Sequence, residues 1–217
     1  GRHFRLFTFS DLEPLADKKW TADGLLYEAG DTFRWQVSSP VSEFIREVAH
    51  GLFQIQNPHI GPMPVHFADV AIDPDPPAPS HAVFRTLSPI TMSVHDTQYR
   101  KHYLTPDEDW SGPVTENLRN KVRALTGEVN HGFVTVEFDQ EFIRRRESHG
   151  RHVTKLCAYK DIRIRAVAAP FSVTGDSELI AIGYDAGFGD ANPAGFGMVE
   201  YMQVAGRERD DNRRTDR

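Results

Sequence analysis

Four prolines in seven residues, Asp73-Pro74-Asp75-Pro76-Pro77-Ala78-Pro79, set the first limit on how this chain can fold. A proline ring removes the amide donor and holds the preceding residue extended, so neither a helix nor a central strand passes through this stretch. We read it as a linker or long loop between two parts of comparable element content, residues 1–73 and 80–205. The length of 217 residues suits one large domain or two small ones, and 39% hydrophobic and 11% aromatic content is ordinary for a globular chain.

In the first part, Leu6–Phe9 is expected as a strand, and Leu25–Tyr27 with Phe33–Val37 as a hairpin around Gly30-Asp31. Ser39 is expected to cap a helix opened by Pro40, with Val41, Phe44, Ile45, Val48 and Leu52 along one face. Val65–Ile72 reads as a strand whose apolar phase slips between Phe67 and Val70, which implies a bulge.

The second part offers strands at Ala82–Arg85 and Ile90–Val94, a helix from Val114 to Leu125 stopped by Gly127, and a strand at Phe133–Phe138. An alternating strand follows at Ile162–Ala168, then a short helix near Glu178–Ala186, a glycine loop, and a last strand at Met198–Val204. This order is close to the split β-α-β-β-α-β unit of ferredoxin-like domains. The fold class expected is therefore α+β, with two ferredoxin-like units in tandem. The first unit has one helix where two are needed, and the chain opens on Gly1, so an initial strand and helix are expected to be missing. The tail 206–217 has no apolar residue to bury and is expected to be disordered.

No apolar run reaches the roughly 20 residues of a bilayer span, and we read the chain as soluble and cytoplasmic, with no membrane partner. Cys157 is the only cysteine, which excludes an internal disulfide and a cysteine-based zinc site. The histidines form no His-x-x-x-His pair and no histidine and carboxylate cluster at metal-ligand spacing, so neither a metal nor another cofactor is expected. The formal charge of −6 conceals an uneven distribution. Between Arg144 and Arg165 eight basic residues face two acidic ones, a segment of +6 that leaves −12 for the rest. Period-two alternation places Arg163 and Arg165 opposite Ile162 and Ile164, so one face can track phosphates while the other packs. Arg144, Arg145, Arg146 and Arg151 read as an exposed basic turn reaching the same ligand.

The run Gly187-Phe188-Gly189-Asp190-Ala191-Asn192-Pro193-Ala194-Gly195-Phe196-Gly197 carries four glycines. Such loops allow positive φ, close backbone approach to a ligand, and amide concavities that hold phosphate oxygens. A pair of tight turns joined by Asn-Pro explains the same residues. Tyr184, Phe188 and Phe196 could stack on unpaired bases, with core packing the preferred role for each.

Together with its flanks from Ile182 to Glu200, this loop resembles the glycine-rich loop of the CRISPR-associated endoribonucleases of the Cas-six type, in the RAMP superfamily. The blocks Arg5-Leu-Phe-Thr-Phe-Ser10 and Thr86-Leu-Ser-Pro-Ile90 agree in order and spacing. The resemblance implies tandem ferredoxin-like domains that bind CRISPR repeat RNA, the pre-crRNA, and cut it without a metal. The ribose 2′-hydroxyl attacks the adjacent phosphate, leaving a 2′,3′-cyclic phosphate and a 5′-hydroxyl, with a histidine as general acid or base and a cation stabilising the phosphate charge.

Carried onto this chain, the family's catalytic basic residue falls on Arg5, while its histidine and tyrosine belong upstream of the block. His3 is the only nearby imidazole and is spaced more closely than the family pattern. Gly187, Gly189, Asn192, Gly195 and Gly197, with Arg144, Arg145, Arg146, Arg151, Arg163 and Arg165, are the RNA-binding candidates. The alternative is a non-cleaving module that holds the repeat or guide RNA among other Cas proteins of a surveillance complex. A homodimer is compatible with either. A third reading, a small-molecule enzyme with a nucleotide phosphate in the loop, lacks a Walker or Rossmann fingerprint.

Overall fold

The computed structural model describes residues 5–16, 20–21, 24–25, 27–28, 30–74, 76, 79–95 and 100–202. In the first part, short antiparallel strands pair β1 (Thr8–Phe9) with β6 (Val37–Ser38), β2 (Glu13–Pro14) with β5 (Phe33–Arg34), and β3 (Trp20–Thr21) with β4 (Gly24–Leu25). The expected hairpin between 25–27 and 33–37 is corrected by this pairing. Gly30 does turn the chain, with φ of 91° and the Asp31 amide donating to Glu28 O at 3.1 Å. The strands beyond it take non-adjacent partners, with Phe9 edge-on to Trp35 at 6.0 Å, while Phe33 still meets Tyr27 edge-on at 5.6 Å across the turn.

Helix α1 (Ser42–Leu52) half-buries Phe44, Ile45, Val48 and Leu52 along its expected face, and Phe7 stacks on Phe44 at 5.0 Å. Ser39 is not its cap. The Ser39 hydroxyl donates to Leu6 O at 2.6 Å and accepts from the Val41 amide at 3.1 Å, so it ties the helix entrance to the segment before β1. The strand expected over Val65–Ile72 is also corrected. That stretch pairs with no described strand, and a hairpin of β7 (His59–Ile60) and β8 (Met63–Pro64) precedes it. The phase slip leaves no continuous apolar face, and Phe67 and Ile72 are exposed.

The second part runs β9 (His81–Thr86), β10 (Ser93–His95), β11 (Lys101–Tyr103), α2 (Ser111–Thr126), β12 (Val134–Phe138), α3 (Gln140–Ser148), β13 (Thr154–Tyr159), β14 (Ile162–Val167), β15 (Phe171–Gly175), α4 (Ser177–Ala186) and β16 (Val199–Tyr201). Its main sheet has the order β12-β15-β9-β16, every pair antiparallel. With α2 after β9 and α4 after β15, this is the complete β-α-β-β-α-β unit. Alternation puts Val134, Val136, Phe138, Phe171, Val173, Ala82 and Phe84 on one buried face, joined by Val114, Leu118 and Val122 of α2 and Leu179 and Ile180 of α4. Gly127 ends α2 in the left-handed region at φ of 80°, as expected.

Three expectations change here. The third sheet strand is β15; Ile162–Val167 is a strand, but among the described strands its partner is β13, in a hairpin inserted between β12 and β15. Ile90 contributes a single bridge to Val167, and strand pairing begins at Ser93. Arg144, Arg145 and Arg146 lie on helix α3 rather than in a turn, because Asp139 caps it by accepting the Phe142 amide at 2.8 Å. The last strand ends at Tyr201, and Gln203 and Val204 with the tail 206–217 lie outside the described residues. No helix among the described residues is long and apolar enough to cross a membrane.

Candidate functional site

Glycines at 187, 189, 195 and 197 take φ of 86°, 78°, 87° and 84°, conformations that a side chain would strain. What they approach closely is protein. A Cβ on Gly189 would collide with the Thr91 carbonyl oxygen, and one on Gly195 would press on the Phe9 ring. The loop amides are largely spent in the same way. Phe188 N donates to Gly197 O at 2.9 Å, Asp190 N to Thr91 O at 2.7 Å, and Gly197 N to Pro89 O at 2.9 Å. Gly187, Gly189, Asn192 and Gly197 are buried, and Gly195 is half-buried.

The polar centre of the loop is a residue that sequence reasoning missed. Lys121 on α2 is only 4% exposed, and its ammonium donates to Gly187 O at 2.6 Å, Asn192 Oδ1 at 2.8 Å and Gly189 O at 3.1 Å. Three donors meet three acceptors, which is what a buried ammonium requires. Burial pushes its pKa down to about 7, and Asp190 draws it partly back. Asn192 completes the cross-link by donating from Nδ2 to Phe196 O at 3.0 Å and Phe188 O at 3.2 Å. A signal for Lys121 existed: it follows Leu118 by three and Val114 by seven, the apolar side of α2.

Phe196 O also accepts from the hydroxyl of Thr8, a fully buried side chain of β1, at 2.9 Å. The loop thus grips the first part of the chain three residues after Arg5. Arg5 is exposed and has no side-chain partner among the described residues. His3 lies outside the described residues.

On the other side of the loop, Ile164 and Ala166 of β14 pack with Phe196, Tyr103 and Cys157. The register opposes Leu156 to Arg165 and Ala158 to Arg163, so all four share the outer face, where both arginines are exposed and Leu156 is 60% exposed. Ile162, expected in the packed row, is exposed at the hairpin tip beyond the reach of Phe196's cluster. Arg144, Arg145 and Arg151 are exposed, and Arg146 is half-buried with its guanidinium 5.8 Å from the Phe142 ring. None of these six arginines makes an ion pair with a described residue. The structure therefore anchors the loop on β1, three residues after Arg5, and sets Arg163 and Arg165 on one face of β14, while the arginines of α3 sit on a separate element.

The three aromatic candidates pack inward. Phe188 and Phe196 are buried, and half-buried Tyr184 lies against Tyr201 at 4.8 Å. Among the described residues no three metal-ligating side chains form a group.

The family model for CRISPR associated protein Cas6, C-terminal, matches residues 73–201. The CRISPR-associated endoribonuclease Cas6 1 of Methanocaldococcus jannaschii is 28% identical over 199 residues, covering 90% of this chain and 73% of that protein. The CRISPR-associated endoribonuclease Cas6 of Pyrococcus furiosus is 25% identical over 199 residues, covering 90% and 70%. Among solved structures, a CRISPR associated protein Cas6 superposes with a TM-score of 0.69 at 25% identity, covering 92% of this chain and 80% of that one. The product of a Cas6-related gene from Pyrococcus furiosus superposes with a TM-score of 0.76 at 20% identity, covering 92% and 79%. The shared fold is an α+β, tandem ferredoxin-like architecture. With a Cas6 model matching more than half of its residues, on the very segment that holds the four-stranded sheet and the glycine loop, this chain belongs to the CRISPR-associated Cas6 family.

Proposed function

We propose that this chain binds CRISPR repeat RNA and cleaves it as an endoribonuclease, without a metal ion. The observation that carries the reading is a set of six arginines, five of them exposed, none paired with a carboxylate among the described residues, on a chain whose overall charge is −6. Cations without a carboxylate partner among the described residues, on an acidic protein, suit a polyanionic ligand. Arg163 and Arg165 supply the basic side chains of the outer face of the β13–β14 hairpin, and Arg144, Arg145, Arg146 and Arg151 extend the contact from α3 and the turn after it. Contact by the glycine loop falls to its outward rim around Gly195, since Gly187, Gly189, Asn192 and Gly197 are spent on holding the loop's shape.

In the reaction the 2′-oxygen bonds to phosphorus as the bond to the 5′-oxygen breaks, and the proton released from the 2′-hydroxyl is matched by one delivered to the leaving oxygen. Arg5 stabilises the charge on the pentacoordinate phosphate, and a histidine, His3 being the candidate in this chain, moves the proton. The test incubates a repeat-containing RNA with the chain in excess EDTA and reads the product ends. Cleavage to a 2′,3′-cyclic phosphate that Arg5→Ala reduces by about a hundredfold supports the assignment. A requirement for added divalent metal would sink it. Arg163→Ala with Arg165→Ala should weaken binding by about tenfold and flatten the dependence of log K on log salt by about 1.4, two single-strand phosphate contacts' worth. Tight, salt-dependent binding without cleavage would instead assign the chain to holding repeat or guide RNA within a surveillance complex.

A further inference from the structure

Lys121 belongs to neither the RNA-facing surface nor the reacting groups, yet it is the hub of the loop. Its three donors span Gly187 and Gly189 on one arm and Asn192 at the turn, and Asn192 passes the restraint to Phe196 on the other arm. Phe196 O then holds Thr8 of β1, and Gly195 lies directly on Phe9. Each link is a hydrogen bond or close contact between buried or half-buried groups, and the path runs from α2 to β1, the strand that begins three residues after Arg5.

On the reading of the chain as a repeat-RNA nuclease, we infer that Lys121 is a positioning residue: through the glycine loop and Thr8 it sets where Arg5 stands relative to RNA held on the β13–β14 face. The loop's backside packing on Ile164 and Ala166 makes this possible, since the same loop contacts both the binding hairpin and β1. Removing the ammonium should slacken β1 while leaving the exposed arginines where they are.

The test compares the full chain with Lys121→Met, which keeps the apolar stem, and with Thr8→Val, which deletes only the hydroxyl link. The expected result is single-turnover cleavage at saturating RNA slowed by about tenfold or more in each, with RNA affinity within about threefold of the parent. The double variant should be little worse than Lys121→Met alone, because both changes cut one path. Hydrogen exchange supplies a readout independent of cleavage: amides of β1 and β6 should lose protection in Lys121→Met while β9, β12 and β15 keep theirs. Unchanged cleavage at saturating RNA, or additive rate losses, would overturn the inference. Should the parent chain not cleave at all, the nuclease reading fails, and the exchange data still decide: unchanged protection of β1 in Lys121→Met overturns the positioning role.

Discussion

At the scale of single residues, two glycines of similar backbone conformation separate local strain from packing. Gly127 at φ of 80° ends α2 with open space around its missing Cβ, so Gly127→Ala should cost about 1 kcal/mol, the strain of a left-handed alanine. Gly189 at φ of 78° faces the Thr91 carbonyl, which is itself held by the Asp190 amide at 2.7 Å and cannot retreat. Gly189→Ala should therefore cost about 3 kcal/mol, strain and overlap together. Urea titration of the two variants checks the contrast, and equal losses would contradict it. The glycines were conspicuous in the sequence, and positive φ was legible there. That Gly189 lies against Thr91 and Gly195 against Phe9 was not, since both neighbours come from distant parts of the chain.

At the scale of elements, α3 shows how a short helix hides in a charge run. Its apolar residues are only Phe142 and Ile143, too few for a periodic stripe, and the arginines that follow read equally well as a turn. The legible signal was Asp139 ahead of Gln140-Glu141, a cap with an acidic first turn. Asp139→Ala should lower stability by about 1 kcal/mol in a denaturant titration, because the Phe142 amide loses its acceptor at the start of a nine-residue helix. No measurable change would mean that burial of Ile143 alone holds the element. The inserted hairpin teaches a related lesson. Ile162–Ala168 and Phe171–Gly175 both alternate, and period two tells which residues share a face without telling which strand joins which sheet. The main sheet takes Phe171 and Val173 because they lie against Phe84 and Phe138, whereas Ile164 and Ala166 meet Phe196 instead.

At the scale of the whole molecule, burying Lys121 couples the glycine loop to pH. Its ammonium is pushed down to about 7 from 10.5 by burial, Asp190 opposing in part. Between those values the unfolded chain keeps a proton that the folded chain has released, so this group's contribution makes stability rise as pH rises. Unfolding free energy of the parent minus that of Lys121→Met should climb by up to about 1 kcal/mol per unit between pH 7 and 9. Parallel pH profiles for the two proteins would show that the three carbonyl acceptors hold the proton against burial.

Local order along the chain was decided by the sequence itself. Apolar spacing marks α1, α2 and α4, and the alternation of Val134–Phe138 and Ile162–Val167 marks strands, because each depends only on neighbours within a few residues. The blocks at Arg5–Ser10, Thr86–Ile90 and Ile182–Glu200 likewise carried the family resemblance. Tertiary structure alone decided which strand completes the sheet, that the loop's amides serve the protein's interior, and that Lys121 stands at its centre. Those outcomes depend on long-range competition for a few buried partners, where a carbonyl at Gly187 and a hydroxyl at Thr8 must both be satisfied away from water.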